Sequence, residues 1–188
     1  VRDSMVVPSA MLAIGPVLHE LRLIKNDVEI SIMTKAAELS AQAHIEAMKA
    51  VKPGIFEYQL EGVIRNHCAQ SGSRFDAYTP IVGSGDNACI LHYSANDQEI
   101  KDGELVLIDA GCEVNHYASD ITRTFPANGK FTAEQKALYQ VVLDAQLAAI
   151  ETIKPGNHCK QSHEVALEVI TKGLVGLGLL EGDVDELI

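Results

Sequence analysis

Two aspartates stand out as residues that could do chemistry together. Asp109 closes the apolar run Leu105-Val106-Leu107-Ile108, and Asp120 opens onto Ile121-Thr122-Arg123-Thr124-Phe125. The stretch between them reads as a β-hairpin. Val114-Asn115 would form its two-residue loop, because Asn tolerates the positive φ that such loops need. In that register Asp109 lies directly opposite Asp120. Opposed side chains share one face of a sheet, with Cβ atoms about 4.5–5.5 Å apart. Two carboxylates so placed repel, and each sits beside a large apolar neighbour, Ile108 or Ile121. Burying an unpaired carboxylate is expensive. A divalent metal between them is the simplest resolution, since hard cations take carboxylate oxygens. The plainer alternative is that one Asp ends a strand while the other caps a turn. A register shifted by two residues would loosen the pairing but keep both side chains on one face.

Other candidates carry less. His92 lies in Ile90-Leu91-His92-Tyr93, a strand-like segment where a lone His reads either as a satisfied core residue or as a catalytic one. His158, Cys159 and His163 have metal-like spacing but fall where a helix should start, which also reads as a solvated helix end. Gly83-Ser84-Gly85 lacks the Gly-Lys-Ser/Thr of a phosphate cradle and reads as a turn. No Gly-x-Ser-x-Gly elbow occurs, and no Cys has a catalytic setting.

The elements that must position these residues follow from periodicity. Pro16 can open a short helix through Leu21. Asn26 or Asp27 caps a long helix whose apolar stripe is Val28, Ile32, Ala36, Ala37, Leu39, Ala43, Ala47 and Val51. Pro53-Gly54 ends it. A second helix runs from about Glu57 to Gln70, with Leu60, Val63, Ile64 and His67 on one stripe. Short strands are expected over residues 78–82, 89–93, 105–108 and 117–125. Thr132 with Gln135 forms a capping box. It opens a helix to about Ile153, and another follows from Ser162 to about Leu177. Lys52-Pro53-Gly54 recurs as Lys154-Pro155-Gly156, each time between two helices. This reads as the start of an internal repeat or as coincidence, since Pro-Gly ends many helices.

Composition narrows the function classes. The 188 residues are 47% hydrophobic and 22% charged, ordinary for a globular protein, and long enough for one unstapled core. The formal net charge of −11 argues against nucleic acid, which needs basic surface. Cys68, Cys89, Cys112 and Cys159 form no C-x-x-C pair and read as reduced thiols of a cytoplasmic protein. Residues 1–5 lack a clustered basic region, and the apolar residues 11–18 are broken by Gly15 and Pro16, too short to span a membrane. Val rather than Met at position 1 reads as a boundary within a longer protein.

Four motifs in order resemble aminopeptidase P, the Xaa-Pro aminopeptidases of the pita-bread metallopeptidase family. They are Ile81-Val82-Gly83-Ser84-Gly85-Asp86-Asn87, Ile90-Leu91-His92-Tyr93, Leu107-Ile108-Asp109-Ala110-Gly111 and Ser119-Asp120-Ile121-Thr122-Arg123-Thr124-Phe125-Pro126. The resemblance implies an α+β fold, a partial pita-bread with an antiparallel sheet flanked by helices. It implies two divalent metal ions, typically manganese, held by two Asp, one His and two Glu. Asp109 matches the Asp that chelates one metal, and Asp120 the Asp that bridges both. His92 matches a His that contacts substrate near the scissile amide, and Tyr78 a Tyr that supports the metal site. The implied reaction is attack of a metal-held hydroxide on the carbonyl before proline, in peptides with proline at the second position. Xaa-Pro dipeptidase (prolidase) and a metal-free pita-bread binding module are the alternatives.

The family's metal His and two Glu belong to motifs absent from these residues. The expectation is therefore a partial enzyme, inactive alone, that binds neither nucleic acid nor membrane and is a homo-oligomer when complete. Residues 1–27 would be a lead-in from an N-terminal domain. Residues 28–188 would be an incomplete catalytic domain, with a first repeat over 28–131 and the start of a second over 132–188. An exposed apolar surface is expected where the second repeat is unfinished.

Overall fold

The computed structural model describes residues 11–188, so the reading of residues 1–5 lies outside the described residues. Three helices lead. Helix α1, Gly15–Leu23, carries Pro16 in its first turn as expected and buries no residue. Helix α2, Asp27–Ala50, starts on a reciprocal cap. Asn26 Oδ1 accepts from the Val28 and Glu29 amides, both at 3.0 Å, while Glu29 Oε2 accepts from the Asn26 amide at 2.7 Å. Two orphan amides of the first turn and the capping residue's own amide are thereby satisfied. Ala36, Ser40, Ala43, His44 and Ala47 are buried. Their small size, His44 aside, lets the helix lie close on the strands beneath. Helix α3, Glu57–Gln70, buries Glu57, Leu60, Ile64 and Cys68. Leu60 and Ile64 are buried as expected, Val63 and His67 are half-buried, and Cys68 and a carboxylate, Glu57, complete the buried stripe.

The strands form two small antiparallel sheets. Strands β2 (Ile81–Ser84), β3 (Leu105–Ala110) and β6 (Ile121–Pro126) make one, with β3 central. Strands β1 (Phe75–Asp76), β4 (Cys112–Val114) and β5 (Tyr117–Ala118) make the other. Burial alternates along β3. Val106, Ile108 and Ala110 face the helices, and Leu105, Leu107 and Asp109 face the other way. The core is Leu60 and Ile64 of α3, Ala36, Ala43 and Ala47 of α2, and Val82, Ile100, Val106 and Ile108.

The hairpin differs from the sequence expectation by two residues. Asp109 pairs with Thr122 and Val114 with Tyr117, so the loop is Asn115-His116. Both loop residues have positive φ, 48° and 70°, the geometry that matches the twist of flanking strands. Asn115 is thus the first loop residue rather than the second. The hairpin also bends midway, so the expected single strand over 117–125 is two. At the bend Gly111 approaches the partner strand so closely that a Cβ there would lie 1.8 Å from the Ser119 carbonyl oxygen.

Two further expectations fail. Residues 89–93 are not a strand, because a 3-10 turn over Gly85–Cys89 leads into a loop. Gly83 and Ser84 belong to β2, and only Gly85 takes a positive φ, of 52°.

Helices α4 (Ala133–Glu151) and α5 (Lys160–Gly176) pack on one another, and a short α6 (Val184–Leu187) follows. Thr132 and Gln135 form the expected capping box, and Gln135 Nε2 ties α4 to the Gly103 carbonyl at 2.8 Å. The two Lys-Pro-Gly segments adopt the same turn. The Ile55 amide bonds Lys52 O, the Asn157 amide bonds Lys154 O, and Gly54 and Gly156 have φ of 91° and 92°. Pro second and positive-φ Gly third is a type II turn. Each turn joins two helices packed together. On α4 and α5 only Ala145 and Thr171 are buried. Leu138, Val142, Leu147 and Ile150 are exposed. No described helix is long and apolar enough to cross a membrane.

Candidate metal centre

Asp109 sits near the end of β3 on the face away from α2 and α3, and is half-buried. Asp120 precedes β6 and is exposed. The apolar neighbours Ile108 and Ala110 point to the opposite face, so the carboxylates escape the burial that their sequence neighbours suggested. The two-residue shift in register places them diagonally rather than opposite each other, on one face of the sheet.

Tyr78, from the link between β1 and β2, joins them. Its hydroxyl lies 2.5 Å from Asp109 Oδ1 and 2.8 Å from Asp120 Oδ1. The two Oδ1 atoms are therefore no farther apart than the sum of those distances. A phenol has one proton and can donate it to only one of them. The second contact sets oxygen lone pairs against each other unless a proton or cation intervenes. Burial first, and the two carboxylates next, hold the Tyr78 phenol far above its usual pKa.

His92 and Ser94 complete the same cavity, about 440 Å³, with Tyr78, Thr79, Ile81, Asp109 and Asp120. All four residues singled out in the sequence thus line one space. His92 reaches it from an exposed turn with φ of 56°, not from a strand. The His158, Cys159 and His163 group is an exposed helix start elsewhere, near α5. Among the described residues, no three His, Cys, Asp or Glu side chains come together as a complete metal cage.

Sequence reasoning missed what supports this site. Ser119, next to Asp120, bonds Ser40 of α2 through their hydroxyls at 2.7 Å. The Cys112 amide donates to both hydroxyls, at 2.9 and 3.1 Å. This network fastens the bend of the hairpin to α2. Nothing in sequence spacing connects Ser40 to Ser119. All four cysteines are free thiols, Cys68 and Cys112 buried and Cys89 and Cys159 exposed. Burial, then the neighbouring Cys112, pushes the Cys68 thiol up to about 12.

A family model for metallopeptidase family M24 matches residues 31–185, most of the chain. The chain belongs to metallopeptidase family M24. Membership implies divalent metal ions. The Xaa-Pro aminopeptidase of Escherichia coli K12 is 47% identical over 187 residues, covering 100% of this chain and 42% of its own length. The human Xaa-Pro dipeptidase is 41% identical over 178 residues, covering 92% of this chain and 36% of its own. In structure, the aminopeptidase PepP of Pseudomonas aeruginosa matches with a TM-score of 0.92 and 56% identity, over 94% of this chain and 40% of that one. The fold is therefore the pita-bread, α+β, and the chain spans about two-fifths of the length of these relatives.

Proposed function

We propose that the whole protein is a metal-dependent Xaa-Pro aminopeptidase, removing an N-terminal residue that precedes proline. One observation carries this: Tyr78, Asp109 and Asp120 meet at a single hydroxyl, on the wall of a cavity that His92 also lines. The donor set fits divalent cations. It consists of two carboxylates and no thiolate, the oxygen ligands that manganese and similar hard ions prefer. Such ions would polarise the scissile carbonyl and lower the pKa of the attacking water.

The chain's own residues do the rest. Asp109 and Asp120 would be the residues of this chain that hold the ions, through their carboxylate oxygens. Tyr78 donates its one proton to one of the two carboxylates, and a cation bound between them would relieve the lone-pair contact with the other. His92 lines the same cavity and would bond a peptide beside its scissile amide. Lys52-Pro53-Gly54 and Lys154-Pro155-Gly156, with identical turns, support a repeat over 28–131 and the start of a second over 132–188. The free thiols fit a reducing, cytoplasmic setting. We also propose that the complete protein is a homo-oligomer.

An Xaa-Pro dipeptidase is the second reading, favoured by the identity to the human enzyme. The test uses the complete reading frame with manganese. Release of the first residue from an X-Pro-X tripeptide supports the aminopeptidase, and cleavage of X-Pro dipeptides alone supports the dipeptidase. Asp109→Asn should remove both activity and bound metal; unchanged metal content would favour a binding module without metal chemistry. The 188-residue chain alone should bind manganese weakly and release nothing. Robust turnover by it would overturn the assignment of only two ligands to these residues.

A further inference from the structure

Glu57 opens α3, yet none of it is exposed. A buried carboxylate is costly unless its oxygens are satisfied, and these are. Oε1 accepts from the Ser84 amide at 2.7 Å, the Ser84 hydroxyl at 2.9 Å and Asn87 Nδ2 at 3.1 Å. Oε2 accepts from the Tyr93 hydroxyl at 2.8 Å and the Gln98 amide at 3.1 Å. Asn87 Nδ2 also donates to the Tyr93 hydroxyl at 3.0 Å, which orients the tyrosine proton towards Glu57. Burial, then Glu57, pushes the Tyr93 phenol up to about 12.

These donors come from both ends of one loop. Ser84 and Asn87 lead into it, Tyr93 and Gln98 lead out, and His92 lies between. One turn along α3, Glu61 accepts from Asn96 Nδ2 at 2.8 Å. Asn96, itself buried, also donates to Pro80 O at 2.9 Å and accepts from the Val82 amide at 3.0 Å. Residues 88–92 therefore hang from fixed points on either side. Within them His92 holds a left-handed backbone, φ 56°, which a non-glycine residue keeps only when its surroundings enforce it. Adjacent Tyr93, pinned through its hydroxyl, supplies that enforcement.

We propose that Glu57 is a positioning residue for His92, an acceptor hub that closes the 84–98 loop and sets the imidazole over the Asp109–Asp120 cavity. The proposal rests on the reading of His92 as the substrate-contacting residue. An apolar residue at 57 could fill the core. Only an acceptor with two oxygens meets donors from both ends of the loop. Glutamine would turn an N–H₂ group towards donors and open one end.

The test is a double-mutant cycle in the complete, manganese-loaded protein, with amide exchange read alongside. Glu57→Gln should lower kcat/KM about 10–100-fold, as expected for misplacing a group by roughly 1 Å, with metal content unchanged. In a His92→Ala background the same change should cost less than about threefold, because residues acting through one another are not additive. Equal losses in both backgrounds would overturn the proposal. Tyr93→Phe, a milder change, is the second variant should Glu57→Gln not fold, and should show the same dependence on His92. If His92→Ala alone leaves activity intact, the reading of His92 fails rather than the clamp. Amide exchange then decides: acceleration confined to residues 84–98 supports the hub, and unchanged exchange there overturns it.

Discussion

Gly111→Ala should unsettle fold and site together. The added methyl would start 1.8 Å from Ser119 O and 2.6 Å from Ser119 C, both backbone atoms that cannot swing aside. Ordinary carbon–oxygen contact is about 3.3–3.6 Å, so the strand carrying Ser119 must retreat by roughly 1.5 Å. That motion stretches the Ser119 amide bond to Cys112 O, now 3.0 Å, and the Ser119 hydroxyl bond to the same carbonyl, now 2.8 Å, out of hydrogen-bonding range, while Ser40 Oγ still accepts from the Cys112 amide. Leaving buried backbone groups unsatisfied costs about 1–3 kcal/mol each, so a total of about 3–5 kcal/mol is expected. For a chain of this size each kcal/mol lowers the melting temperature by about 2–4 °C. Asp120, joined directly to Ser119, would be carried away from Tyr78, so manganese affinity should fall as well. Thermal unfolding followed by circular dichroism measures the first effect, and manganese titration the second. Gly62→Ala is the control, since it sits within α3 with nothing within 4 Å of its Cβ. Helix propensity should then raise stability by about 0.8–1.0 kcal/mol. A Gly111→Ala protein melting within about 2 °C of the unsubstituted chain, with equal metal affinity, would refute the close-approach reasoning.

Tyr78→Phe removes the only hydroxyl among the described residues that is shared by Asp109 and Asp120, and should lower the melting temperature of the metal-free chain. A loss of about 1–3 kcal/mol is expected, and equal melting in chelator would show that the carboxylates do not depend on it. An aromatic disulfide reagent should modify Cys89 and Cys159 in the native chain, and Cys68 and Cys112 only after denaturation. The Cys68 thiol ionises at its ordinary 9.0 when unfolded and near about 12 when folded. The raised value favours the protonated folded form, so this group leaves stability unchanged below pH 9. Stability then falls as pH rises from there to about 12, by up to about 1.4 kcal/mol per pH unit. Unfolding midpoints in denaturant across that range should show the decline, and Cys68→Ser should flatten it.

Much of the scaffold was legible because it rests on local rules. Asn26 with Glu29 and Thr132 with Gln135 announce helix starts through contacts three residues apart, which no tertiary packing need supply. Pro53-Gly54 and Pro155-Gly156 fix their turns by backbone sterics alone. The structure departs from the sequence expectation where local rules admit two solutions. Asn115 fits either loop position, so local rules do not separate two registers two residues apart, and the structure takes the one that pairs Val114 with Tyr117. The apolar letters of 89–93 suggested a strand, but Asn87, Tyr93 and Asn96 are drawn to acceptors on α3, which bends the segment into a loop.

The sequence by itself determined that Asp109 and Asp120 share one face of a sheet. Side chains alternate with a period of two, so a slip of two residues moves the pair along the strand without turning either side chain over. Their types, both oxygen donors, are those that suit a hard cation. Only the tertiary structure decided that Tyr78 would stand between them, that Ser40 would anchor the bend beside Asp120, and that Glu57 would gather both ends of the loop bearing His92. Those contacts join residues 27 to 79 positions apart. No local propensity encodes them. They exist because α2 and α3 bury their faces against β2 and the two halves of the hairpin, and that packing brings distant polar groups to the same few ångströms.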